Sequence, residues 1–265
     1  MRYTLGFIGC GNMGGALVTA ASREVVCNKI AVCDYDESKT TALEREFGVT
    51  VTTSVNIAKH SRFVILGVKP QAVEDVLSEI AEILCEREDL VVVSMAAGLS
   101  IKTIRSYIGE EVPMIRIMPN TPVAVGAGMI LYSTDGVDKD SETEFLSCFE
   151  KAGKFDKITE NQIDAASAIS GCGPAFVYAF AEALADGAVE CGLPRDKAAL
   201  YAAQTLLGAA EMLLEKGHPA DLKDAVCSPG GTTIAGMHAL ERAAFRSATM
   251  DAVTAAYNKT LELKK

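Results

Sequence analysis

The first half of the chain alternates short β-branched runs with helical patterns, and no other feature restricts its fold as strongly. Strands are expected at 4–8, 29–33, 63–68, 90–94 and 114–118, with a further extended stretch near 127–132. Helices are expected between them at 13–22, 37–47, 55–59, 70–85 and 100–108. Runs such as Val64-Ile65-Leu66 and Val91-Val92-Val93 are apolar at every position, which suits strands covered by helices on both faces. Strands alternating with helices build βαβ units, and hence an α/β domain with a doubly wound, mainly parallel sheet. Gly48 and Gly109 each follow an expected helix, where the C-terminus favours glycine.

Past about residue 137 the pattern changes. Strand signals shrink to one stretch at 155–159, and alanine becomes frequent. Helices are expected at 139–151, 162–190, 195–216, 220–227, 233–244 and 245–263. Pro194 and Gly217 bracket one of them in the usual start-and-stop asymmetry. The chain thus reads as a dinucleotide-binding domain over 1–160 and an all-α domain over 161–265. The alanine-rich stretch 175–185 carries no stripe of exposed charge, which implies burial all round, preferentially against another subunit.

With 265 residues, 49% of them hydrophobic, the chain can build an extensive core. Its net charge of −10 argues against a nucleic-acid or anionic-membrane partner, because both need a basic surface. The eight cysteines (10, 27, 33, 85, 148, 172, 191 and 227) include no CxxC pair and sit among apolar neighbours, so they are expected to be reduced and mostly buried. The three histidines, His60, His218 and His238, lack partners at ligand spacing, and no metal site is expected. Glycines 9, 11, 14 and 15 interrupt the apolar N-terminal run too early for a signal sequence. No segment is expected to reach the roughly 18 apolar residues that crossing a membrane requires. The chain reads as soluble and cytoplasmic.

Gly9-Cys10-Gly11-Asn12-Met13-Gly14 directly follows the first expected strand and opens a helix, the setting in which GxGxxG binds a dinucleotide. Gly9 permits the tight turn, Gly11 the close approach of a pyrophosphate, and Gly14 the packing of helix on sheet. The helix N-terminus supplies N–H groups to the phosphates. Asp34, at the end of the second strand and 20 residues beyond Gly14, suits a carboxylate that accepts the ribose hydroxyls and repels the extra phosphate of NADP. A competing role for Asp34 is to cap the helix near Glu37. NADH or NADPH is the expected cofactor, with NADH favoured by Asp34. Val68-Lys69-Pro70 and Ala97-Gly98 follow later strands and would close the cofactor site, and Asn56 is also counted among the cofactor-binding residues.

Three further segments look like substrate loops. Arg116-Ile117-Met118-Pro119-Asn120-Thr121-Pro122 is a strand end bent by two prolines. Ser170-Gly171-Cys172-Gly173-Pro174-Ala175-Phe176 is a glycine-rich break in a helical run, costly enough, at about 1 kcal/mol per interior glycine, to imply a purpose. Ser228-Pro229-Gly230-Gly231-Thr232-Thr233 is a polar turn that opens a helix.

Taken with Gly9–Gly14 and Val68–Pro70, these segments make the chain resemble pyrroline-5-carboxylate reductases over nearly its whole length. The resemblance implies NAD(P)H-dependent reduction of 1-pyrroline-5-carboxylate to L-proline, the final step of proline biosynthesis. It also implies a Rossmann domain followed by a helical C-terminal dimerisation domain, with homodimers and larger rings of dimers. It assigns Thr233 to the ring nitrogen, Ser228 and the backbone around Gly230 and Gly231 to the substrate carboxylate, and Asn120, Gly173 and Thr232 to the substrate side. One departure stands out. Relatives that use NADP tend to carry small polar residues and an arginine where this chain has Asp34-Tyr35-Asp36.

Other readings remain open from sequence alone. A β-hydroxyacid dehydrogenase needs a lysine on the helix after a glycine-rich turn, whereas here no lysine follows Gly173 until Lys197. A reductase of related cyclic imines and a non-catalytic NAD-binding protein share the same fold signals.

Overall fold

The computed structural model describes residues 3–109 and 112–262. Eight strands form one sheet: β1 (Tyr3–Ile8), β2 (Ile30–Cys33), β3 (Thr50–Val51), β4 (Ser61–Leu66), β5 (Val91–Ser94), β6 (Met114–Met118), β7 (Gly128–Asp135) and β8 (Gly153–Lys157). Their spatial order is β3-β2-β1-β4-β5-β6-β7-β8, and all neighbours are parallel except β6 and β7. Seven helices accompany the sheet: α1 (Asn12–Ala21), α2 (Glu37–Phe47), α3 (Ser54–His60), α4 (Val73–Cys85), α5 (Ile101–Ile108), α6 (Lys139–Ser147) and α7 (Ile163–Ser170). This is the doubly wound, mainly parallel α/β fold expected from the alternation.

The sheet is buried on both faces, and the strand pleat shows how. Phe63 and Ile65 point into one core with Phe7, Leu17, Val93 and Phe145, while their neighbours Val64 and Leu66 point into the other with Ile57, Leu77, Ile80 and Ile104. Asp36 accepts the Ser38 N–H to cap α2, and Gly48 ends that helix at φ +73.

The remaining helices are α8 (Gly173–Glu190), α9 (Arg195–Lys216), α10 (Pro219–Val226), α11 (Thr232–Arg242) and α12 (Phe245–Glu262). Residues 173–255 form a compact unit of their own, and the other described residues form a second. The expected end of the last helix at 263 lies outside the described residues.

Several expectations need correction. The helix expected at 162–190 is two helices, because Ser167 O accepts the N–H groups of both Gly171 and Cys172 and Pro174 can only sit in a first turn. The strand expected at 155–159 begins at Gly153, which adopts φ +137 beside Gly128, where any Cβ would lie 2.1 Å from a carbonyl oxygen. The two-residue β3 was not foreseen at all. Only Cys10 and Cys148 are buried, whereas Cys85, Cys172 and Cys191 are exposed, because they follow or end helices rather than facing a core. The stretch Glu160–Glu190 does pass the length and composition test for a membrane span, with a mean hydropathy of 1.3. The break at Gly171–Cys172 divides that stretch between α7 and α8, and α8 carries Glu182 and Asp186 within its length.

Candidate active site

The glycine loop joins β1 to α1 at the carboxyl ends of the central strands. Gly9 sits at φ +100, and a Cβ there would lie 2.6 Å from the Gly67 backbone. At Gly14 a Cβ would lie 2.2 Å from Gly9 O, so only glycine lets the helix approach the loop. Gly11 is different: a Cβ there would meet open space within 4 Å, which leaves its outer side clear. Gly11 caps α1 with no side-chain bond, no acidic residue occupies the first turn, and the N–H groups of Asn12, Met13 and Gly14 have no intrahelical acceptor. Such an uncapped terminus fits a pyrophosphate.

Asp34 does not cap α2, since Asp36 takes that position. Instead Asp34 Oδ2 accepts the Cys10 N–H at 2.6 Å, its Oδ1 accepts the Asp36 N–H at 2.9 Å, and Lys39 Nζ lies 3.6 Å from Oδ1. The carboxylate is therefore tied to the glycine loop. Burial, followed by the Asp34 charge, pushes the Cys10 thiol up to about 12 and the Cys33 thiol up to about 11, which keeps both protonated beside the loop.

Gly9, Asp34 and Val68 line one cleft of about 680 Å³, together with Thr52, Asp75 and Glu79. The last three were not foreseen. The hydroxyl run Thr52-Thr53-Ser54 at the end of a strand was their one sequence signal, while Asp75 and Glu79 share a face of α4 only once the helix forms. Ser54 Oγ donates to Glu79 Oε2 at 2.8 Å. Asn56 is exposed on α3 and donates from its amide to Thr52 Oγ1 at 3.1 Å. Lys69 is exposed and precedes a short 3-10 turn that Pro70 begins. Ala97 and Gly98 lie in a tight turn closed by Leu99 N–H to Ala96 O, with Gly98 at φ +78.

The substrate-type residues fall in two places. Asn120, only 8% exposed, accepts the Met129 N–H and donates to Ser170 O, both at 2.9 Å. Its amide thus braces the β6–β7 connection against the end of α7, a role that the sequence did not suggest. Gly173 opens α8, with space where its Cβ would be.

In the helical unit, Gly231 N–H donates to Ser228 O at 3.0 Å, with Pro229 second and Gly230 third at φ +68. That is the signature of a type II turn. It commits the Gly231 N–H, which corrects the expectation that this group is a ligand donor. The donors left are those of Gly230 and the first turn of α11, beginning with Thr232 and Thr233. Gly231 caps α11 without any side-chain bond, so neither Ser228 nor Thr233 is spent on capping. Both side chains stand on exposed residues.

Known proteins are similar to this chain over its whole length. A model for pyrroline-5-carboxylate reductase dimerisation matches residues 160–263, and one for coenzyme F420-dependent NADP oxidoreductases matches residues 4–98. The chain is 43% identical to a pyrroline-5-carboxylate reductase of Pisum sativum, covering 98% of this chain and 96% of the relative. Against that of Escherichia coli it is 40% identical, with both chains fully covered. The solved reductase of Coxiella burnetii matches with a TM-score of 0.89 at 34% identity over the whole of both chains. That of Plasmodium falciparum, with NADP bound, matches with a TM-score of 0.90 at 31% identity over 99% of this chain and 98% of the other. The chain belongs to the pyrroline-5-carboxylate reductase family.

Proposed function

We propose that the protein reduces 1-pyrroline-5-carboxylate to L-proline with a nicotinamide dinucleotide, as the closing step of proline biosynthesis. The observation that carries this reading is the Ser228–Thr233 turn, whose hydroxyls and first-turn N–H groups are left unspent, within a chain 40% identical to a reductase of that name over its full length.

The glycine loop, Asp34 and the turns at Val68–Pro70 and Ala97–Gly98 would hold the dinucleotide, with Asn56 at the rim. A nicotinamide bound there supplies a hydride. The N–H groups of Gly230 and the first turn of α11, with the Ser228 hydroxyl, bind the substrate carboxylate at a helix N-terminus. Thr233 Oγ1 hydrogen-bonds the ring nitrogen and orients the C=N bond. Protonation of that nitrogen makes its carbon electrophilic, so the reaction consumes one hydride and one proton and leaves a secondary amine. No strong acid is required when the substrate enters as the iminium, and orientation supplies most of the rate. Asn120 and Gly173 serve the substrate side indirectly, by fixing the end of α7 and the start of α8.

NADH is the preferred cofactor in this reading. Asp34 lies in the same cleft as Asp75 and Glu79, and this concentration of negative charge disfavours a ribose 2′-phosphate. The chain acts as a homodimer through its C-terminal helices, with larger rings of dimers as a further level of assembly, and works in the cytoplasm. Dinucleotide oxidation with 1-pyrroline-5-carboxylate, with L-proline identified as product, tests the reaction. Folded protein that turns over only other cyclic imines or a hydroxyacid would overturn it.

A further inference from the structure

Just beyond the turn at Ala96–Leu99, the start of α5 meets a charge network centred on a buried arginine. Arg116, on β6 and 2% exposed, places Nη1 3.2 Å from Glu160 Oε1 and Nη2 3.1 Å from Asp164 Oδ1. The same Glu160 oxygen accepts the Ile101 N–H at 2.6 Å. Ile101 is the first residue of α5, and the Ser100 side chain caps the helix by accepting the Thr103 N–H at 3.0 Å. Glu160 therefore fills the anion position at the N-terminus of α5 with a carboxylate from within the chain.

The rest of the turn is tied down in sequence order. Met95 N–H donates to Leu66 O, Ala96 N–H to the buried Ser94 Oγ, and Leu99 N–H to Ala96 O. Ser94 pairs with Arg116 across β5 and β6, so the start of the turn and the arginine share one rung of the sheet. Ala97 and Gly98 are left with N–H groups that have no partner among the described residues. In a doubly wound sheet with this strand order, the turn after β5 lies on the nicotinamide side of the switch point between β1 and β4.

We infer that Glu160 is a positioning residue for the Ala97–Gly98 turn, set in place by Arg116, and that it governs how the nicotinamide half of the cofactor is held. A carboxylate fixed by an arginine cannot swing away from the Ile101 N–H without giving up one of the two ion pairs of a buried guanidinium, which is costly. The turn is thereby preorganised before any ligand arrives. This inference rests on the cofactor site proposed above.

The test compares NADH with ADP-ribose, which keeps the adenosine and pyrophosphate but lacks the nicotinamide ring. Binding of each is titrated calorimetrically to the full-length protein. Glu160→Ala is expected to weaken NADH about tenfold, the worth of one charge-assisted hydrogen bond, while ADP-ribose changes less than about twofold. Glu160→Gln, which keeps an oxygen for the Ile101 N–H, should recover most of the loss. Ile101→Pro offers a second route. Proline is tolerated at the first helical position, and it deletes the N–H while leaving the ion pairs in place. It should again weaken NADH selectively, and in steady-state assays raise KM for NADH without raising KM for the imine. Equal loss of both ligands, or loss of neither, would overturn the inference. Wild-type protein that binds neither ligand would overturn the cofactor site and this inference with it. Wild-type protein that binds both but does not reduce 1-pyrroline-5-carboxylate would refute the proposed reaction and leave Glu160 its role.

Discussion

The sheet unit and the helical unit solve the problem of burial in opposite ways. In the sheet unit the strands are covered on both faces by two cores drawn from their own helices. Among the described residues of 173–255, only Ala185, Ala198 and Ala202 are buried. Leu200, Tyr201, Leu207, Leu214 and Met250 are all more than half exposed there. Phe176, Phe180, Leu184, Leu240 and Phe245 line an apolar groove of about 630 Å³ in the same unit. The first unit covers its strands with its own helices, while the second leaves most of its large apolar side chains uncovered by its own helices. The match of residues 160–263 to a dimerisation model gives that surface its reason.

Breaking the helical unit should have the largest effect. Phe180→Glu and Leu207→Glu should each abolish the oligomer and lower the helical signal, with a cost of about 3 kcal/mol or more per buried apolar side chain lost. Light scattering with far-ultraviolet circular dichroism checks both at once, and an oligomer indifferent to either change would undo the contrast. The same reasoning predicts that thermal stability rises with protein concentration.

In the sheet unit, damage should stay local and leave the oligomer intact. Gly14→Ala forces a Cβ to within 2.2 Å of Gly9 O, so the loop must move, at about 2 kcal/mol in stability and with loss of dinucleotide binding. Thermal unfolding and an NADH titration measure the two parts. Asp34→Ser should be milder, narrowing the NADH-over-NADPH ratio of kcat/KM by about tenfold. A wild-type enzyme that already prefers NADPH would contradict the reading of Asp34.

A further effect concerns alkaline pH. The Cys10 and Cys148 thiols are pushed up to about 12 by burial, from an ordinary value of 9.0. A thiol raised on folding contributes stability that is fully present below pH 9.0 and is lost as pH climbs toward about 12. Denaturant titrations at pH 8 and pH 10.5 should show the loss, and Cys10→Ala with Cys148→Ala should flatten it.

The two units also differ in how much of them could be read from sequence. The strands of the sheet unit announce themselves as continuous apolar runs, and Gly9, Gly11 and Gly14 fall where the loop needs them. What escaped notice there depends on tertiary placement. β3 is two residues long and has no pattern to detect. Thr52, Asp75 and Glu79 meet only because β3 and α4 end at the same cleft, and Glu160 reaches Ile101 across 59 residues of chain. In the helical unit the elements were legible to within a few residues; just before it, at Gly171–Cys172, two glycines and a proline outweigh the helical periodicity. The alanine-rich character of 175–185 implied burial, but the pattern carries no sign of which surface does the burying.

The most direct test of the account is the kinetics of Thr233→Val with 1-pyrroline-5-carboxylate, alongside an NADH titration of the same protein. Valine keeps the shape of threonine and removes only the hydroxyl assigned to the ring nitrogen. The account predicts that kcat falls about 100-fold, the scale for a reacting group no longer held in line, while NADH affinity is unchanged. Turnover at the wild-type rate would contradict it.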